Sequence, residues 1–144
     1  MPSSMPSIKS KPITIVEEIP ISKTLEFWDG LKKGKVYATK CRKCGKLYFP
    51  PAADCPDCLC SEMHWVELSG EAKIETFTHV VVRPTSFCQY KPYTVAIGKL
   101  VDGVKVLAWL TGFRLSQIKI GMKVKLIAKV DNEGNPTYEF VPAC

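Results

Sequence analysis

The sequence predicts a mostly β protein that consists of one short N-terminal helix, a small cysteine-bearing ribbon and a five-stranded barrel. Three observations support this fold class: two Cys-x-x-Cys pairs within residues 41–58, β-forming runs through residues 70–141, and a single stretch with helical spacing at residues 22–34. The chain has 144 residues, which is enough for one domain or two very small ones. The predicted boundaries are 1–34 for an arm and the helix, 35–67 for the ribbon, and 68–144 for the barrel.

The composition indicates a globular protein without a membrane-spanning segment. Hydrophobic residues make up 46% and charged residues 24% of the chain. No apolar run approaches the roughly 20 residues that cross a bilayer, and the N-terminal "MPSSMPSIKSKPITIVEEIP" lacks the apolar segment of a secretory signal. The seven cysteines are an odd number, which does not suit a secreted disulfide framework. We therefore predict a cytoplasmic protein.

The N-terminal region predicts an extended arm followed by a helix of about three turns. Residues 1–21 are rich in Ser, Pro and Lys, and form either a free tail or an arm that packs on a partner. In "SKTLEFWDGLKKG", Ser22 is the predicted N-cap and Gly34 the predicted left-handed residue after the helix. The apolar residues on its predicted face are Leu25, Trp28 and Leu31, with Phe27 beside them. This face covers either the core or the surface of a partner or ligand.

The segment "CRKCGKLYFPPAADCPDC" predicts a metal site. Its four cysteines form two pairs, each with two residues inside the pair, and ten residues separate the pairs. Two turns that each supply two thiolates satisfy the tetrahedral geometry of zinc, and four thiolates leave no coordination position for a catalytic water. The sequence therefore predicts one structural Zn²⁺ in a rubredoxin-like zinc ribbon. Its predicted ligands are Cys41, Cys44, Cys55 and Cys58.

Other uses of these cysteines are also compatible with the sequence. The thiols could form two redox pairs or remain as buried free cysteines, although "GKLYFPP" does not supply the helix that follows a thioredoxin-type pair. Iron is the alternative metal, because a tetrahedral sulfur site suits both ions. Cys60 could replace Cys58 as a ligand, but the matched spacing of the two pairs favours Cys58.

The sequence of the C-terminal half predicts five strands. The strand-like runs are residues 71–82, 93–100, 104–112, 123–130 and 137–141. Asp102 and Gly103 form the predicted hairpin turn between the second and third strands, and "FRLSQIKIGM" has room for one short helical turn. A long first strand, with Gly98 and Gly112 at predicted bends, indicates a barrel of the OB type. A small sandwich is the structural alternative.

The loop after the first of these strands carries the candidate ligand-binding residues. Cations and flat rings cluster within "RPTSFCQYKPY", and this combination suits a nucleotide, whose phosphates attract cations and whose base stacks on rings. OB folds also bind ligands at the corresponding loop and strand face. The candidates are Arg83, Phe87, Tyr90, Lys91 and Tyr93. The alternative is an ordinary surface loop whose rings fold onto the barrel.

No catalytic group stands out in the sequence. The chain has two histidines, His64 and His79, and both lie in strand-like sequence. There is no glycine-rich phosphate loop and no nucleophile with an adjacent base. The net charge of +6 gives only a mild preference for anions. These features argue against an autonomous enzyme.

In its motifs the chain resembles the zinc-ribbon/OB-fold family of acyl-CoA-associated proteins, long described as a domain of unknown function. The resemblance covers roughly residues 22–141 and includes the short aromatic helix and the cysteine block. The remaining matching motifs are Ser69-Gly70, Arg83-Pro84, Pro92-Tyr93 and Gly121-Met122. The combination is specific, and this chain retains all four metal-binding cysteines of the pattern.

The resemblance implies a non-catalytic accessory subunit of a thiolase-superfamily enzyme. Archaeal members of the family bridge a thiolase and a hydroxymethylglutaryl-CoA synthase and help to hold CoA intermediates, so coenzyme A or an acyl-CoA is the implied ligand. A nucleic-acid-binding OB module is the alternative, but the basic residues are scattered rather than interleaved with stacking rings. A zinc-stabilised scaffold without a small ligand is the third hypothesis.

Overall fold

The computed structural model describes residues 6–143, so the first five residues of the predicted arm and Cys144 lie outside the described part. Its helix is α1 (Leu25–Lys32), and its strands are β1 (Tyr37–Cys41), β2 (Leu47–Tyr48), β3 (Met63–Glu67), β4 (Glu71–Val80), β5 (Tyr93–Leu100), β6 (Lys105–Leu110), β7 (Lys123–Val130) and β8 (Pro136–Pro142). Short 3₁₀ turns lie at Thr85–Phe87 and Leu115–Gln117. The prediction of a mostly β protein with one N-terminal helix is confirmed. Within these residues, no helix has the length and apolar character needed to cross a membrane.

The ribbon is a small antiparallel sheet in the order β2-β1-β3. Its central strand pairs on both sides: Thr39 lies opposite Tyr48 on β2 and opposite Trp65 on β3. The buried Thr39 hydroxyl accepts a hydrogen bond of 2.8 Å from the backbone N–H of Ala52, which fixes the loop between the two cysteine pairs. The sheet therefore holds both cysteine-bearing turns at one end of β1.

The C-terminal strands close into a barrel in the order β4-β5-β6-β8-β7, as expected for an OB fold. Only the contact between β6 and β8 is parallel. The sandwich alternative is wrong, because β4 pairs with both β5 and β7 and thereby closes the sheet. The pairing of β4 with β5 shifts register between Ile74 and Thr76. Such a bulge increases the local curvature that closure requires.

Two glycines make the curved barrel wall compatible with its core. Phe140 on β8 is 0% exposed, and a Cβ atom at Gly98 would lie 2.6 Å from its Cζ atom. Gly112 has a φ of +81°, where the chain bends after β6. Gly98 thus leaves space for an aromatic ring inside the barrel, and Gly112 supplies a backbone conformation that other residues adopt only at a cost.

Helix α1 packs against both the ribbon and the barrel. Phe27 and Leu31 are buried in one core cluster with the ribbon residue Ala38 and the barrel residue Phe140. The Phe27 ring packs edge-to-face on other rings, including that of Phe49 at 5.9 Å. Ribbon, helix and barrel therefore share a continuous apolar core rather than three separate ones.

The beginning of the helix and its buried face differ from the sequence prediction. Thr24 occupies the N-cap position without a side-chain cap, so the prediction that Ser22 caps the helix is wrong. Leu25 is exposed, whereas Phe27 and Leu31 form the buried face. The last turn agrees with the prediction, since Gly34 has a φ of +80°. The described part of the arm, residues 6–21, lacks helix and strand, and its side chains are exposed.

Candidate metal centre and ligand groove

Two similar turns present the four cysteines. In the first, the N–H of Gly45 donates to the carbonyl oxygen of Cys41 at 2.9 Å, and in the second, the N–H of Leu59 donates to that of Cys55 at 3.0 Å. The residue after each pair is left-handed, with φ of +74° at Gly45 and +58° at Leu59. Each turn thereby points both of its thiols to the same side of the backbone.

The four sulfur atoms lie within 4.8 Å of one another. The Sγ atoms of Cys41 and Cys58 are 3.5 Å apart, and those of Cys44 and Cys55 are 3.6 Å apart. In a tetrahedral zinc site with Zn–S bonds of about 2.3 Å, the sulfur atoms lie about 3.8 Å from one another. The cluster therefore has the size and the donor set for one four-coordinate divalent ion. The sulfur of Cys60 lies outside this group and accepts a hydrogen bond of 3.4 Å from the backbone N–H of Glu62.

Hydrogen bonds prepare two of the thiols for deprotonation. The Tyr48 hydroxyl lies 3.2 Å from the Cys55 sulfur, and this contact is the main reason that the pKa of Cys55 falls to about 6. The backbone N–H of Cys44 lowers the pKa of Cys41. The N–H of Cys60 acts in the same direction on Cys58, but burial and the neighbouring sulfurs outweigh it and raise the pKa of Cys58 to about 12. A metal ion must therefore displace a proton from Cys58.

Replacing Leu59 with glycine is expected to stabilise the ribbon by about 0.5–1 kcal/mol, because glycine removes the left-handed strain but loses more entropy on folding. The Leu59 side chain is 83% exposed, so little packing is lost. Thermal unfolding of the metal-loaded protein measures the gain. Gly45→Ala is the matched control and should destabilise the protein, since nothing lies within 4 Å of an added Cβ and only the backbone conformation opposes it. A loss of stability in Leu59→Gly would contradict this account.

The loop between β4 and β5 contributes to a cluster of four rings. Tyr93 stacks on Trp109 with ring centres 4.3 Å apart and planes 9° apart. Tyr90 meets Trp109 edge-on at 5.9 Å, and Phe87 lies 5.6 Å from Tyr90. Of the predicted ligand residues, the structure thus brings together Phe87, Tyr90 and Tyr93. Sequence reasoning missed Trp109, whose only signal was an aromatic residue in an alternating strand.

Two depressions flank this ring cluster. The larger, of about 600 Å³, is the aromatic groove, whose rings are Trp28, Phe87, Tyr90, Trp109 and Tyr138. Its rim carries Lys129, Asp131 and Glu139, and Lys129 forms an ion pair of 3.3 Å with Glu139. The smaller depression, of about 310 Å³, is lined by Lys91, Tyr90, Tyr93 and Trp109, among others.

Arg83 does not join the other predicted ligand residues at either depression. It lies three residues after β4 and lines neither depression. Its Nε atom is buried and has no hydrogen-bond partner within residues 6–143. His79 lies at the smaller depression, where its Nδ1 atom is 2.9 Å from the Thr94 hydroxyl. The structure thus pairs this histidine with a neutral strand residue.

Comparisons with known proteins match the two parts of the chain separately. Residues 28–63 match the model of the "ChsH2, rubredoxin-like zinc ribbon domain", and residues 65–128 match that of the "ChsH2, C-terminal OB-fold domain". A "DUF35 domain-containing scaffold protein" of Pyrococcus furiosus is 36% identical over 113 residues, which cover 76% of this chain and 82% of that protein. The chain belongs to the DUF35 family. The family resemblance predicted from the sequence is therefore confirmed.

Two further comparisons place this DUF35 protein among its relatives. The "Benzoylsuccinyl-CoA thiolase subunit BbsA" of Thauera aromatica is 30% identical over 73 residues, which cover 51% of this chain and 49% of that subunit. A solved chain described as "Ltp2-ChsH2(DUF35) aldolase" aligns with a TM-score of 0.76 at 23% identity, over 89% of this chain and 100% of that one. The structural match supports the zinc-ribbon and OB-fold architecture.

Proposed function

We propose that this DUF35 protein is a non-catalytic subunit that binds a thiolase-superfamily enzyme and holds its acyl-CoA substrate or intermediate. One relative is named a scaffold protein and another is named a thiolase subunit. Both names support a role as the partner of an enzyme. The chemistry then belongs to the partner, and this chain contributes binding and positioning. The family resemblance extends the proposal to assemblies that also contain a hydroxymethylglutaryl-CoA synthase.

The observation that carries the proposal is the aromatic groove on the strand face and loop where OB folds bind ligands. An acyl-CoA has an adenine ring, three phosphates and a long uncharged arm. The Tyr90 ring is 46% exposed, which leaves area for stacking, whereas Trp109 already covers one face of Tyr93. Tyr90 and Phe87 are therefore the better candidates for contact with the adenine or the arm.

The charges around the rings suggest how a bound acyl-CoA is oriented, with its arm and its phosphates at different depressions. At the aromatic groove Lys129 pairs with Glu139, so Asp131 carries the unpaired negative charge, which disfavours phosphates there and makes the uncharged arm the better occupant. Lys91 lies at the smaller depression, where an exposed ammonium group suits a phosphate. Arg83 could contact a phosphate only if the ligand extends beyond both depressions.

We also propose that the ribbon holds one Zn²⁺ through Cys41, Cys44, Cys55 and Cys58. The ion would be structural, because four thiolates complete its coordination. Bound zinc would fix the two cysteine turns against β1 and thereby stabilise a segment with little core of its own. The metal would support the fold on which helix α1 and the aromatic groove rest, and it would take no part in a reaction.

The test of ligand binding is calorimetry of the metal-loaded protein with acetoacetyl-CoA and, separately, with a short single-stranded oligonucleotide. Trp109 lines both depressions and packs against Tyr90 and Tyr93, so Trp109→Ala removes the support of the contacting rings. It should weaken acetoacetyl-CoA binding by about tenfold or more, since loss of an aromatic platform costs about 1–3 kcal/mol. Trp65→Ala, on the ribbon sheet, is the matched control and should bind normally. Unchanged binding by Trp109→Ala would place the ligand elsewhere. Binding of the oligonucleotide without acetoacetyl-CoA would favour the nucleic-acid alternative.

A further inference from the structure

Four lysines form a continuous row across four neighbouring strands of the barrel. Lys99 on β5 lies opposite Lys105 on β6 and also opposite Lys73 on β4. Lys73 in turn lies opposite Lys123 on β7. All four side chains are exposed and alternate with buried core positions. We call these residues the basic row.

The basic row is only partly neutralised. Lys105 forms a 2.8 Å ion pair with Glu75, whereas the other three lysines make no ion pair within residues 6–143. Neighbouring Lys125 lies opposite Glu71. Asp102, which accepts a 3.0 Å hydrogen bond from the Ser69 hydroxyl, lies at the same end of the barrel. The five lysines, the two glutamates and this aspartate leave a local excess of two positive charges. Because like charges directly opposite one another destabilise a sheet, the free protein has a cost that a bound anionic surface would remove.

Apolar side chains and shallow grooves accompany the lysines. Grooves of about 790 Å³ and 560 Å³ flank Lys73, and both are lined by Val101, which is 69% exposed. Ile120, 71% exposed, lines the larger one. The row lies at the opposite end of the β4–β5 pair from the ring cluster, because Lys73 and Val80 are seven positions apart along β4, about 23 Å of strand. It is a second surface, distinct from the aromatic groove.

We propose that the basic row is a docking surface for an acidic face of a partner protein. Single-stranded nucleic acid would require stacking rings among the cations, and the barrel's ring cluster lies at the other end of these strands. Exposed Val101 and Ile120 beside the charges instead match a protein interface, which combines apolar contacts with charge complementarity. This surface goes beyond the proposed function, since it requires neither acyl-CoA nor a particular enzyme.

The spacing of the row suits an acidic helix. Strands about 4.8 Å apart spread four lysines over about 14 Å. Glutamates at every fourth position of a helix follow one another at about 6 Å, so three of them extend about 12 Å along one face. Such a helix, laid across the strands, would place each carboxylate near two lysines and its adjoining apolar residues near Val101 and Ile120.

The test uses the full-length, metal-loaded protein and a helical peptide with glutamate at every fourth position, followed by NMR of the backbone amides. We expect shifts at the basic row and around Val101, and at least tenfold weaker binding of a peptide of the same composition with scattered glutamates. Lys73→Glu should weaken peptide binding at least tenfold, because it puts a negative charge in the basic row. It should also raise the melting temperature by a few degrees, because a glutamate at position 73 lies opposite Lys99 and Lys123. Lys11→Glu, in the exposed arm, changes the net charge equally and should preserve binding.

Several outcomes would overturn the proposal. Equal losses of peptide binding in Lys73→Glu and Lys11→Glu would show that only net charge matters. Amide shifts spread over all exposed lysines, or no binding of the peptide, would show that the basic row is not a specific docking surface. Tighter binding of a single-stranded oligonucleotide at the row would assign it to nucleic acid. Acetoacetyl-CoA binding should be unchanged in Lys73→Glu, so this proposal and the acyl-CoA proposal can fail independently.

Discussion

Cys55→Ser is expected to abolish zinc binding and unfold the ribbon. Cys55 is buried and shares the four-sulfur cluster with three other thiols. Serine offers a poor ligand in place of a thiolate whose pKa is lowered to about 6, and it leaves Tyr48 without its sulfur partner. Structural zinc contributes apparent free energies of about 10–16 kcal/mol in small zinc-finger peptides at pH 7, and a segment with little core of its own depends on such a contribution.

Elemental analysis of the purified protein measures the effect directly. The native chain should contain one zinc ion and Cys55→Ser none, with a loss of ordered ribbon amide signals in NMR spectra. Cys60→Ser is the matched control, because the Cys60 sulfur lies outside the cluster although it is close in sequence. Loss of zinc in Cys60→Ser, or retention of a full equivalent in Cys55→Ser, would contradict the assignment of ligands.

The same substitution tests how strongly the ribbon supports the rest of the chain. Val36 and Ala38 of the ribbon belong to the same buried cluster as Phe27 and the barrel residue Leu126. Loss of the ribbon therefore exposes one side of that cluster, and we expect the barrel to remain folded but to melt at a lower temperature. Urea unfolding followed by tryptophan fluorescence would report this coupling.

Much of the fold follows from local patterns in the sequence. The matched cysteine spacing indicated the zinc ribbon before any pairing of strands was known. Strand β7 was predicted at residues 123–130, where the structure has it, because apolar and charged residues alternate. The second glycine of the predicted bends, Gly112, has the positive φ that only glycine adopts readily. Local conformational preference and the global fold agree at these points.

Other features depend on which residues the fold brings together. Helix α1 carries Leu25, Phe27, Trp28 and Leu31, so apolar side chains point in several directions and spacing alone did not identify the buried face. Trp109 joins Tyr93 only because of the pairing of β5 with β6. The basic row likewise depends on register, since its lysines are far apart in sequence and meet only across strands.

Phe140→Ala is expected to cost about 3–5 kcal/mol, the usual loss when a large ring is removed from a closed core. Phe140 is 0% exposed and lies in the continuous cluster of helix, ribbon and barrel. Gly98→Ala should also destabilise the protein, because the added Cβ would lie 2.6 Å from the Phe140 ring. Its backbone φ lies outside the left-handed region, so this cost comes from the contact and not from the conformation.

The two substitutions together test whether Gly98 is required by the Phe140 ring. In the Phe140→Ala background the ring is absent, so Gly98→Ala should become neutral or stabilising, and its methyl group should fill part of the cavity. Denaturant unfolding of the four proteins in the cycle should give a coupling free energy above about 1 kcal/mol, within the range for residues in contact. Effects that add to within about 0.5 kcal/mol would show that the two positions are independent. The presence of glycine at position 98 would then have to be explained by something other than the space that the Phe140 ring requires.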